Sequence, residues 1–260
     1  MNITIDPVQT AFAPSRFSHR LARGLRRELF REFQDRDCKW RTLIPTVALV
    51  ITARMDARER VRSLRRLAPR MRTSLAAYHE QSSNDKLLAA GTSLNPVKHA
   101  CAGGETEDAV RISGVRVHVS DGRASFCSKP VALISQHAIE RIFERLATME
   151  LAAAQTELAS ALAWFDLLHS ACQSLSYRTR PRQFAVPTET GVFLGQRCHD
   201  SGLLQVRTWV AMGNNNRLYR TLATLHAWRA TPTSDTARTF RSLLAQPCNQ
   251  WMNQPYSRGY

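Results

Sequence analysis

Residues 110–134, VRISGVRVHVSDGRASFCSKPVALI, alternate apolar and polar side chains on both sides of Asp121-Gly122. Period two sends successive side chains to opposite faces of a sheet, and Asp-Gly between two such runs closes an antiparallel hairpin. The second run passes without a spacer into ISQHAIERIFERL, residues 134–146, where Ile139, Ile142, Phe143 and Leu146 recur at helical spacing. A strand pair that hands over directly to a helix requires mixed architecture, and the chain is expected to be α+β.

The flanking segments extend this expectation. Residues 14–36 read as an amphipathic helix with Phe17, Leu21, Leu25, Leu29 and Phe33 at four-residue steps, and residues 54–72 as a second helix carrying Val61, Leu64 and Leu67 on one face. Pro69 is expected to kink or end that second helix. Between the two, the β-branched run TLIPTVALVIT at 42–52 reads as a buried strand, with Pro45 near its start. Residues 81–108 bring Ser, Asn, Gly and Pro without periodicity and read as a linker. After the helix at 134–146, a longer helix is expected from about Glu150 to Gln173. Three strands then follow, FAVPT, GVFLGQRCH and GLLQVRTWVA, with helices near Arg217–Arg229 and Asp235–Gln246. The expected organisation is a basic, mainly helical region at 1–80, the linker, an α+β domain with a small antiparallel sheet at 109–246, and a loose tail at 247–260.

Charge narrows the choice of partner. The chain has 36 basic and 21 acidic residues and a formal charge of +15, which attracts polyanions. Only Lys39, Lys86, Lys98 and Lys129 are lysines, and the remaining 32 basic residues are arginines, whose planar fork suits phosphate. Residues 54–72 hold eight arginines against Asp56 and Glu59. Such density repels itself unless an anion neutralises it, which makes Arg58, Arg62, Arg65 and Arg66 candidate nucleic-acid contacts, although a solvated face would show the same composition. Nucleic acid is the expected partner, RNA favoured over DNA, and a protein partner is left open.

Other classes are poorly served. The six cysteines are scattered without a CxxC pair, and there is no phosphate-binding glycine loop, no GxSxG and no paired metal-ligand motif. No cofactor and no metal are expected. The longest apolar stretch, LIPTVALVI, is too short to span a bilayer, so the expectation is a cytoplasmic protein without a membrane anchor.

The candidate chemistry lies in 134–146. Ser135 is placed to cap the helix, and His137, Arg141 and Arg145 follow at four-residue steps opposite the apolar stripe, flanked by Glu140 and Glu144. A neutral imidazole beside two fixed guanidiniums can move a proton at an RNA 2′-hydroxyl while phosphate charge is stabilised. A solvated helix face with an Arg141–Glu144 pair is the plainer alternative. His19, Arg23 and Arg27 repeat the spacing in the N-terminal segment.

The stretch HAIERIFERL, the helix after it and the strands ending in VRTWV resemble, over about residues 134–211, the small BrnT-like ribonuclease toxins of the RelE-like fold, which share a His-Ala-x-x-Arg-x-x-x-Arg signature. The resemblance implies metal-independent RNA cleavage with His137 as general acid or base and Arg141 and Arg145 as phosphate stabilisers. It also makes Arg207 and Thr208 on the last strand the nearest residues to complete a pocket. The first 108 residues have no counterpart in that pattern. The alternative is a noncatalytic DNA- or RNA-binding accessory protein of a mobile element, in which the same arginines only hold phosphate.

Overall fold

The period-two segment lies at the centre of the fold. In a computed structural model, which describes residues 16–100, 106–120, 122–174, 183–198 and 201–211, the hairpin comprises β3 (Thr106–Ser120) and β4 (Arg123–Ser135). They pair antiparallel from Ala109↔Ser135 to Ser120↔Arg123. Gly122 takes φ +76°, the left-handed conformation that the turn demands of its glycine.

Two helices precede the hairpin, α1 (Arg16–Thr52) and α2 (Ala57–Ser74), followed by β1 (Ala77–Ser82) and β2 (Leu87–Ala100). After the hairpin come α3 (Gln136–Leu146), α4 (Leu151–Ser174), β5 (Gln183–Pro187), β6 (Gly191–Arg197) and β7 (Leu204–Ala211). The seven strands form one sheet in the order β1-β2-β3-β4-β7-β6-β5. Each half is antiparallel, and three parallel pairs join them: Ala132↔Leu204, Leu133↔Gln205 and Ile134↔Val206. The architecture is α+β as expected, but the sheet is a single mixed one rather than a small antiparallel one.

Register shows which side each helix covers. On β3, Val115, Val117 and Val119 share a buried cluster with Trp40, Leu43 and Val47 of α1 and with Val61, Leu64 and Met71 of α2. The alternate residues point the other way, toward α4: Arg116 pairs with Asp166, and a Cβ on Gly114 would stand 3.2 Å from an Asp166 carboxylate oxygen. A bulge at Val131, where the register steps from Ile112↔Ala132 to Ser113↔Pro130, reverses the facing of β4 and turns Ala132 and Ile134 into the larger cluster. That cluster holds Phe165 of α4 against Phe184 and Phe193, and it also includes Leu29 and Phe33 of α1 and Ile139 and Ile142 of α3.

Several sequence expectations fail here for physical reasons. Residues 42–52 continue α1 instead of forming a strand, because Trp40, Leu43, Val47 and Val50 recur at three- and four-residue steps and all are buried, while Pro45 falls on the exposed side. Pro69 also sits on an exposed side and α2 runs on to Ser74. The supposed linker contains β2, a 14-residue strand paired along its whole length with β3. Its buried Asn95 is matched: with its amide turned to suit its neighbours, it donates to Asp37 and accepts from Arg41 and Arg111. Residues 87–100 and 106–108 therefore belong to the sheet rather than to a linker, and α1 contributes to both clusters. The helices expected after Arg217 and the tail at 247–260 lie outside the described residues.

The β5–β6 turn is held by Glu157, a buried α4 carboxylate that accepts from the Thr190 backbone N–H at 3.1 Å and its hydroxyl at 2.7 Å. Beside it, Trp209 donates its indole N–H to Thr188 Oγ1 at 3.1 Å, and the ring lies flat against Gly191, where an added Cβ would be 2.1 Å away. Gly191→Ala is expected to lower stability by about 1–3 kcal/mol through overpacking, as read from urea unfolding. A chain starting at Glu107 would lose α1, α2, β1 and β2 and expose the Val115, Val117 and Val119 face. It is expected to partition into the insoluble fraction on expression, whereas the full chain stays in the supernatant.

Candidate functional site

Helix α3 is built as the sequence suggests. Ser135, extended at φ −64° and ψ 151°, accepts the Ala138 N–H on its hydroxyl, and Ala138, Ile139, Ile142 and Phe143 are buried. His137 and Arg145 are exposed and Arg141 is half-buried, on the outward side of the helix. Arg141 Nε donates to His137 Nε2 at 3.2 Å, and its Nη1 donates to Glu144 Oε2 at 2.9 Å. In this geometry Nε2 of His137 is an acceptor, a role open to the tautomer that carries its proton on Nδ1. Eight residue steps of about 1.5 Å separate His137 from Arg145, about 12 Å along the axis, so a single phosphate does not reach both ends of the stripe.

The flanking acids are committed to holding α1. His19 Nδ1 meets Glu144 Oε1 at 2.5 Å, so the first copy of the His/Arg spacing docks on the helix that carries the second. Arg26, buried, reaches Glu140 at 3.1 Å and Asp108 at 3.0 Å, and Lys98 reaches Asp108 at 2.5 Å. The Lys98 hydrogen bond, helped by Arg26 and opposed by partial burial, holds the Asp108 carboxyl below the ordinary aspartate range.

Arg207 and Thr208 lie on β7, next to the start of α3. The register of β6 against β7 steps from Leu194↔Thr208 to Gly195↔Val206, so Arg207 is the extra residue of a bulge. The Ser135 hydroxyl donates to the Arg207 carbonyl at 3.3 Å, which sets the first turn of α3 beside β7. The Arg207 side chain is exposed and donates to Gln205 Oε1 at 3.1 Å, while Thr208 is half-buried. Bulges re-aim side chains at functional sites, and nothing in the sequence marks this one.

The arginines of residues 54–72 divide by role. Arg60 is buried and donates to the carbonyls of Val50 and Ala53, capping the end of α1. Arg65 is exposed but ties the β1–β2 turn through Ser82 and Ser83, and Arg72 lies 5.7 Å from the Tyr78 ring centre. Arg58, Arg62, Arg66 and Arg70 are exposed on one side of α2. On α1, Arg20, Arg23, Arg27 and Arg31 form a similar exposed stripe opposite Ala22, Leu29 and Phe33. Both stripes point away from the sheet, and none of these eight arginines makes an ion pair within the described residues. The α1 stripe is visible in the sequence as arginines at three- and four-residue steps, but the structural duties of Arg60 and Arg65 are not.

Among the described residues, no group of three or more His, Cys, Asp or Glu is placed to hold a metal ion, and no helix is long and apolar enough to cross a membrane. No protein-family model, curated protein or solved structure matches the chain.

Removing the arginine from the buried pair should be costly. Arg26→Ala leaves Glu140 buried without its cation and is expected to destabilise by about 3–5 kcal/mol in urea unfolding, well beyond the cost at an exposed arginine such as Arg23. For Asp108, the depressed folded value means that its stabilisation is complete above the ordinary aspartate pKa. That stabilisation fades as pH falls through the lowered value. Lys98→Met should raise the titration midpoint of the Asp108 carboxyl in an NMR pH series, and stability should then begin to fall at a higher pH.

Proposed function

We propose that the protein binds nucleic acid without sequence preference, through the outward arginine stripes of α1 and α2. The observation that carries this reading is the eight exposed arginines, four on each helix, on the side away from the sheet, with no carboxylate of the described residues paired to them. Like charges at that density repel one another, and a phosphate backbone relieves the repulsion while accepting bidentate contacts. Phosphate contacts of this kind fix position but do not read sequence.

A second reading is RNA cleavage at α3, in line with the resemblance to BrnT-like toxins. It is favoured by the Arg141 to His137 hydrogen bond, which sets a guanidinium beside the imidazole, and by the bulged Arg207 next to the first turn. The exposure of His137 and the engagement of Arg141 by Glu144 weigh toward binding alone.

Replacing Arg58, Arg62, Arg66 and Arg70 by Gln should weaken binding in fluorescence anisotropy. It should also flatten the dependence of log affinity on log salt, by about 0.9 per lost contact on duplex DNA and about 0.7 on single strands. Arg65 is left intact because it holds the β1–β2 turn. An unchanged slope removes α2 from the interface. For the cleavage reading, His137→Ala should slow single-turnover RNA cleavage by about a hundredfold to ten-thousandfold with binding preserved. A folded wild type that cleaves no RNA across a varied panel leaves the binding reading alone.

A further inference from the structure

The opposite side of the sheet carries a basic surface of its own. Where α4 gives out, alternate residues of β1–β4 face outward: His79, Leu88, Arg116, His118, Arg123 and Lys129 are all exposed, Leu88 at 46%. Register places them together. His79, Ala90, Arg116 and Cys127 form one row across the four strands, and Gln81, Leu88, His118 and Ser125 form the next. No Asp or Glu occupies this face of Ala77–Ser82, Leu87–Thr92, Gly114–Ser120 or Arg123–Lys129, because Glu80 lies on the other side with Tyr78. Among the described residues, Asp166 of α4 reaches it, bound to Arg116 at 2.9 Å.

The surface extends about 20 Å along β4 from Arg123 to Lys129, at about 3.4 Å per residue. It offers no large ring for base stacking, since Phe126 turns inward toward Trp40 and Tyr78 toward Arg72, leaving the imidazoles of His79 and His118. Cations with so little ring area fit a phosphate backbone better than unpaired bases. A second copy of this chain would meet the face with like charge. Residues 212–260, with six arginines and one aspartate, would do the same.

We propose that this sheet face is a second phosphate-binding surface, so that one chain bridges two separate nucleic-acid segments. The inference rests on the reading of the helical face given above, because bridging needs both surfaces. The α2 stripe and this face are back to back, with the sheet and the buried side of α2 between them, and one rigid duplex does not reach both.

The test uses the full chain with two duplexes of the same sequence, one biotinylated on beads and one fluorescent in solution. Wild type should carry the fluorescent duplex to the beads. His118→Gln/Arg123→Gln/Lys129→Gln, three exposed positions, should lose co-capture by about tenfold while anisotropy with a single duplex shows affinity changed by no more than about threefold. Circular dichroism checks that the variant is folded, and sedimentation gives the mass of the wild-type complex. Co-capture unaffected by the triple substitution overturns the proposal, as does co-capture by a dimer holding one duplex per protomer. Single-duplex binding without any co-capture overturns bridging and spares the helical reading, whereas absence of all binding overturns both.

Discussion

Three parallel residue pairs between β4 and β7 join two antiparallel sheets into one, and the placement of every other element follows from them. They form only because Val131 bulges out of register with β3, which reverses the facing of β4 just before Ala132. Up to Pro130 the strand serves the packing under α1 and α2. From Ala132 on, it serves the cluster shared with α4. The same three rungs bring the start of α3 alongside β7, so that the Ser135 hydroxyl meets the Arg207 carbonyl at the second bulge. Slipping β7 by one residue against β4 would turn Val206 out of the core and move Arg207 away from the first turn of α3.

Arginine does three distinct jobs in this chain, and net charge alone does not separate them. Arg60 ends a helix by satisfying carbonyls that have no further turn to bond. Arg26 is buried between carboxylates and fixes α1 to α3. The stripe arginines make no such contacts among the described residues and leave a positive field at the surface. Counting the eight arginines of 54–72 as one patch therefore overstates the binding surface by the residues that are building the fold.

The hairpin, α3, α4 and the last three strands were legible because each shows an unmixed period and a proper boundary residue, such as Gly122 or Ser135. The failures share a cause. In β2 the buried positions include the polar Thr92, Ser93 and Asn95, and Asn95 finds its partners in distant segments, so no period appears in the strand itself. In residues 42–52, β-branched side chains suggested a strand while the spacing of Leu43, Val47 and Val50 continued the helix. Of the candidate site, the order of His137, Arg141 and Arg145 along α3 was readable from spacing. The commitment of Glu140 and Glu144 to Arg26 and His19 was not, since those contacts span more than a hundred residues of sequence.

Helix α1 supplies side chains to both hydrophobic clusters, and that has a cost during synthesis. Phe33 belongs to the same buried cluster as Trp209, which the ribosome adds 176 residues later. At usual elongation rates the apolar side of α1 waits on the order of 10 s before its last partners exist. For that interval the nascent chain carries the apolar side of α1 uncovered, with the exposed arginines of the stripe on the other side of the same helix.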